Sequence, residues 1–116
     1  MTKHKIKTID VHELKHQMDN QANLSLIDVR ELDEWEMMHI PGALHIPKDR
    51  ISIEIQNQIP NKEQTIYLHC RSGVRSLYAA QCLMDLGYYE VYSVDGGIMA
   101  WAMSGYPVKQ ESYTPS

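Results

Sequence analysis

The heptapeptide Cys70-Arg71-Ser72-Gly73-Val74-Arg75-Ser76 gathers a soft nucleophile, two guanidinium groups, two hydroxyls and a glycine into one short run. It follows an alternating apolar segment, Gln64 to His69, that predicts a central strand. It precedes a helical pattern from Val74 or Arg75 to Leu86, with Gly87 as the C-cap. Open α/β sheets present their ligands at such strand-to-helix junctions. A loop curling into a helix N-terminus aims several backbone N–H groups at one point, and that arrangement holds an anion without any side chain. Gly73 permits the tight curl. A sulfur in this cradle, with Arg71 and Arg75 close by, is expected to ionise below the ordinary thiol range, because each nearby positive charge favours the thiolate. The bland alternative is a buried, inert cysteine ending a strand, followed by an ordinary helix start with solvated arginines. Core packing does not explain why a thiol, a glycine and two cations share one turn, so Cys70 is the candidate nucleophile.

The elements that must position this loop alternate short apolar runs with helical patterns over residues 6–108. That order predicts an α/β fold, a small, mainly parallel central sheet flanked by helices on both faces. Lys5 to Ile9 reads as a short strand, and Asp10 with Glu13 as a capping box for a helix through about Met18. Leu24 to Val29 reads as a buried strand, and Glu31 to Met38 as a helix with acidic residues in its first turn. Ala43 to Pro47 reads as extended. Ile51, Ile55 and Ile59 repeat at helical spacing after Asp49 or Ser52, although their alternation also permits a strand. Val91 to Val94 is a further strand, and Asp95-Gly96-Gly97 turns into a last helix through Met103. Residues 1–108 are expected to form one domain, and residues 109–116 a frayed polar tail.

The 116 residues carry a formal charge of −4, so a nucleic-acid or acidic-membrane partner is not expected and any anion site must be local. No apolar run is long enough to span a bilayer and no secretory signal is evident, which makes a cytoplasmic location the expectation. Cys70 and Cys82 do not form metal-ligand knuckles, and no cofactor motif appears.

Beside the loop, Leu26-Ile27-Asp28-Val29-Arg30 with Glu34 and Trp35, then His39-Ile40-Pro41-Gly42-Ala43 and His45-Ile46-Pro47, form one ordered set of motifs. Val94-Asp95-Gly96-Gly97-Ile98 with Trp101 and Gly105-Tyr106-Pro107-Val108 form another. Together with the loop they resemble the single-domain rhodaneses, sulfurtransferases whose reactive cysteine opens a six-residue loop. Met38 departs from the family, which often has glycine before the His-Ile pair. The resemblance implies that Cys70 thiolate attacks the outer sulfur of thiosulfate and carries a persulfide until cyanide, a thiol or a protein acceptor removes the sulfur. It implies that the amides of Arg71, Ser72, Gly73, Val74, Arg75 and Ser76 hold the anionic sulfur, that Arg71 and Arg75 orient the donor, and that Asp28 and Arg30 support the loop. Neither half-step needs a general acid or base, since sulfite leaves unprotonated.

Two rivals differ in class. Cysteine-dependent phosphatases and arsenate reductases use Cys-x5-Arg, whereas this chain has Cys-x4-Arg with Ser76 at the next position, and no acid within the loop. A non-enzymatic rhodanese-like interaction module would have no need of the cysteine. Among bystanders, Cys82 is expected to face the core or lie half-buried, His12 and His16 to be solvated, and His69 to point away from Cys70 because successive strand residues face opposite sides. Trp35 and Trp101 are assigned to packing, Met99 and Met103 to a shared helix face near the pocket mouth, and Arg30 with Glu34 to an ion pair.

Overall fold

A computed structural model describes residues 5–21 and 23–110. Strands β1 (Lys7–Ile9), β2 (Leu24–Asp28), β3 (Leu44–His45), β4 (Thr65–His69) and β5 (Val91–Val94) form one sheet in the order β1-β5-β4-β2-β3. Every pairing is parallel, so each connection must cross a face of the sheet; the helices α1 (Val11–Asn20), α2 (Leu32–Met37), α3 (Ile51–Gln58) and α4 (Val74–Asp85) lie in the four connections, and α5 (Gly97–Met103) follows the last strand. The expected α/β architecture, with a parallel sheet and helices on both faces, is the one observed.

The two faces follow from alternation along the strands. On β2 and β4, Ile27, Ile66 and Leu68 point to one side and pack with Ile51, Ile55, Ala79, Ala80 and Leu83 of α3 and α4. Leu26 and Tyr67 point to the other side and join Val11, Leu14, Ile98 and Trp101 of α1 and α5. β4 lies between β5 and β2, buried on both faces, so whatever follows His69 emerges at the centre of the sheet's carboxyl edge. The isoleucine repeat that also allowed a strand is helical, preceded by a single 3-10 turn at Lys48–Arg50. α4 closes at Gly87, whose φ of 99° lets Tyr88 N–H reach back to the Leu83 carbonyl.

Several local expectations are corrected. Asp10 caps α1 by accepting from Glu13 N–H, but the reciprocal carboxylate-to-amide bond belongs to α2, where Glu31 N–H donates to Glu34. Trp35 is only half-buried: it stacks on His39 at 3.7 Å and on His45 at 5.1 Å, outside both apolar clusters. Trp101 is core, as expected. Lys109, the first residue of the expected tail, bonds to His39 through both its N–H and its carbonyl, while residues 111–116 lie outside the described residues. No helix among the described residues is long and apolar enough to cross a membrane.

Candidate active site

Cys70 follows β4 directly, and the chain reverses through Ser72 and Gly73 before α4 begins at Val74. Gly73 adopts φ 119°, a backbone conformation closed to most side chains, and this lets its N–H point back at Cys70 Sγ at 3.1 Å. The Ser76 hydroxyl lies 3.7 Å from the same sulfur and 2.7 Å from the hydroxyl of buried Ser93 on β5. Burial pushes the Cys70 thiol up, but the amide and hydroxyl of Ser76 together with the amides of Gly73 and Ser72 outweigh it, leaving the thiol below its ordinary range. The sequence reading gave part of this task to the arginines. Hydrogen bonds from the loop and the first turn of α4 carry most of it, and of the two arginines Arg75 interacts favourably with the Cys70 charge.

The two arginines part company. Arg75 donates from Nη1 and Nη2 to the two carboxylate oxygens of Glu34 at 2.6 and 2.9 Å, a fork-on-fork pair joining α4 to α2. Arg75 thus carries a carboxylate partner in the role expected of it, while the expected Arg30–Glu34 pair is corrected, since Arg30 pairs with Asp28 and Glu34 with Arg75. Arg75 holds the Glu34 carboxyl down to about 2, so Glu34 is a permanent anion rather than a proton donor. Arg71 is exposed, and its guanidinium has no ion-pair or hydrogen-bond partner among the described residues.

Arg30 turns inward. Its Nε and Nη2 clasp the Asp28 carboxylate at 2.8 to 3.2 Å, Nη2 also donates to the Met38 carbonyl, and both residues are almost fully buried. Asp28 also accepts from Arg30 N–H and bonds to no loop atom, so its support of the loop is indirect. It pairs in register with His69, whose Nε2 sits 3.7 Å from Asp28 Oδ2 without a hydrogen-bond partner while Nδ1 lies 3.4 Å from the Cys70 carbonyl. Burial lowers the His69 pKa despite the nearby carboxylate, so the imidazole is neutral. As expected, it does not reach the sulfur.

Sequence reasoning missed three contributors. Glu34 stood in a motif and at a helix edge, and neither signal pointed to Arg75. Ser93 is a hydroxyl in an otherwise apolar strand, and nothing in its spacing links it to Cys70. Gly97 was read as a turn residue, yet a Cβ there would lie 2.3 Å from the Cys70 carbonyl oxygen. Its absence lets Ile98 N–H and Met99 N–H bond to the Cys70 and Arg71 carbonyls at 2.9 and 3.2 Å, clamping the outer side of the loop to α5. Cys82 is half-buried against the α3–α4 core, as expected, and no metal-binding group occurs among the described residues.

Beside the loop opens a cleft of about 500 Å³, lined by Met37 and Met38 of the α2 end, Ile98 and Met99 of α5, and the polar groups of Arg30, Glu34, Arg71 and Gln110. Met99 thus meets the expectation of a place at the pocket mouth, whereas Met103 is not among the lining residues.

The family model for the rhodanese-like domain matches residues 10–104. The chain is 40% identical over 101 residues to the probable adenylyltransferase/sulfurtransferase MoeZ of Mycobacterium tuberculosis, a match covering 86% of this chain and 26% of that protein, about a quarter of its length. It is 36% identical over 103 residues to a sulfurtransferase of Allochromatium vinosum, covering 89% of this chain and 94% of that one. The solved thiosulfate sulfurtransferase of Pseudomonas aeruginosa superposes with a TM-score of 0.84 at 29% identity, covering 91% of this chain and 20% of that one. With the family match running from the cap of the first helix to the end of the last, the chain belongs to the rhodanese-like domain family.

Proposed function

We propose that the protein is a sulfurtransferase that moves sulfane sulfur from thiosulfate or a persulfide donor through Cys70 to cyanide or a thiol acceptor. The observation that carries this reading is the sulfur itself, enclosed by the amide of Gly73 and the hydroxyl of Ser76 with no base within reach. Such a cradle stabilises a thiolate before the reaction and a persulfide anion after it, so one set of donors serves both states. Cys70 thiolate attacks the outer sulfur, a new S–S bond forms, and the old one breaks with its electron pair leaving on sulfite. The persulfide anion then gives its terminal sulfur to the acceptor and Cys70 returns as thiolate, a ping-pong cycle. Arg71 draws the anionic donor to the mouth, and the Asp28–Arg30 pair keeps the carboxyl ends of β2 and β4 in place beneath the loop.

Residue Cys70 is 1% exposed. A slim terminal sulfur reaches such an atom more readily than a phosphorus centre bearing four substituents. Phosphate-ester cleavage also calls for an acid to protonate the leaving oxygen, and the nearby carboxyl, Glu34, stays ionised down to about pH 2. Thiosulfate with cyanide is expected to yield thiocyanate, and mass spectrometry after thiosulfate alone should find one added sulfur on Cys70. Cys70→Ser should remove both signals. An unmodified Cys70 and no thiocyanate would put the interaction-module reading ahead.

A further inference from the structure

The charges around the cleft cancel in pairs, except one. Arg30 is neutralised by Asp28 and Arg75 by Glu34, so of the guanidinium groups at or beside the cleft Arg71 alone lacks a carboxylate partner among the described residues. The remaining walls are chiefly thioether and alkyl: Met37, Met38, Ile98 and Met99. A cavity of about 500 Å³ accommodates a whole small organic molecule, far more than a compact inorganic dianion fills. Methionine walls suit such a guest because the unbranched, polarisable side chain adapts to different apolar shapes. Met37 stands 74% exposed on α2 and Met99 40% exposed on α5, both lining the cleft and neither belonging to an apolar cluster.

We infer that the preferred sulfur donor is an organic sulfane compound with an apolar body and a single negative charge, its body held between Met37 and Met99 and its anionic group on Arg71, and that thiosulfate is the poorer substrate. This rests on the sulfurtransferase reading and specifies the substrate class of the same site. With an organic thiosulfonate the step balances as follows. Cys70 thiolate bonds to the terminal sulfur, the S–S bond to the sulfonyl sulfur breaks, and the electron pair leaves on the sulfinate. One negative charge enters with the donor and one departs, so neither proton nor oxidant is required.

Three donors separate the contributions: thiosulfate, the methanethiosulfonate anion and the benzenethiosulfonate anion, each assayed with cyanide as acceptor. Methanethiosulfonate should exceed thiosulfate in kcat/KM, reading the single charge. Benzenethiosulfonate should exceed methanethiosulfonate by about tenfold, reading the apolar wall, since burying a modest apolar surface has roughly that effect. Met37→Ser with Met99→Ser should collapse the second ratio and spare the first, whereas Met37→Leu with Met99→Leu should retain it. Thermal melts would verify folding, which substitution at these exposed positions should preserve. A thiosulfate preference, equal rates for the two thiosulfonates, or a benzene-to-methane ratio that survives the serine pair would each overturn the inference while leaving sulfur transfer intact. No persulfide on Cys70 with any donor would instead bring down the sulfurtransferase reading itself.

Discussion

Two ion pairs flank the reactive loop, and they work in different media. Asp28–Arg30 lies beneath it, both side chains at most 5% exposed, at the carboxyl end of β2 beside β4, with one further bond to the Met38 carbonyl at the end of α2. Glu34–Arg75 lies beside it, each side chain about 30% exposed and open to water. The inner pair is held by desolvation: neither charge can lose its partner without standing alone in a low-dielectric core. The outer pair has equally good geometry but is screened, so its contribution to stability is small. The same guanidinium–carboxylate chemistry therefore serves as scaffold in one place and as control of local charge in the other.

The largest test of that contrast is Arg30→Met, which strands the Asp28 carboxylate. Destabilisation of about 3–5 kcal/mol is expected in urea unfolding. Replacing both partners, with Arg30→Met and Asp28→Leu, should recover a good part of that loss, because no unpaired charge remains. If the single variant costs no more than a surface substitution, the inner pair is not the scaffold described here.

The sheet, the loop and the cysteine it cradles were legible because these depend on local pattern: alternation in Ile66, Tyr67 and Leu68, a glycine at position 73, and a thiol at a strand end. Partner choice among charges was not legible. Arg30 and Glu34 sit at helical spacing, but Arg30 leaves the end of a buried strand and turns inward, while Glu34 meets Arg75 from 41 positions away. That meeting depends on where α2 crosses the sheet edge, a tertiary fact. The same holds for Gly97, whose missing side chain matters only because the Cys70 carbonyl lies where a Cβ would be.

The inner region also predicts a pH response. Buried His69 faces Asp28 and Arg30, and its pKa is lowered by desolvation. Below about pH 6.5 the unfolded chain takes up a proton at this imidazole that the folded protein does not, so stability falls with acidification by up to about 1.4 kcal/mol per pH unit, until the lower folded value is reached. Urea unfolding of the wild type and His69→Gln between pH 7 and pH 5 should differ in slope by this contribution. Equal slopes would mean that the imidazole accepts its proton within the fold, with Asp28 as counter-ion.

The outer pair gives the smallest stability effect and a separate change in chemistry. Because Glu34 is held down to about 2, its stabilising contribution is complete above the ordinary carboxylate range near 4.5 and is lost only as pH falls towards 2. Solvent screening limits that contribution to about 1 kcal/mol or less, so Glu34→Gln should unfold at nearly the wild-type urea midpoint. The variant, however, releases the Arg75 guanidinium beside the loop and adds a second uncompensated positive charge near the sulfur. Thiosulfate, as a dianion, should gain from that charge more than a singly charged thiosulfonate does. The expected readout is a fall of severalfold in the KM for thiosulfate, with a smaller change for benzenethiosulfonate, and a difference between the two that shrinks as ionic strength rises. Equal responses of both donors would show that Glu34 sets only the position of Arg75, and that the charge of the cleft is governed elsewhere.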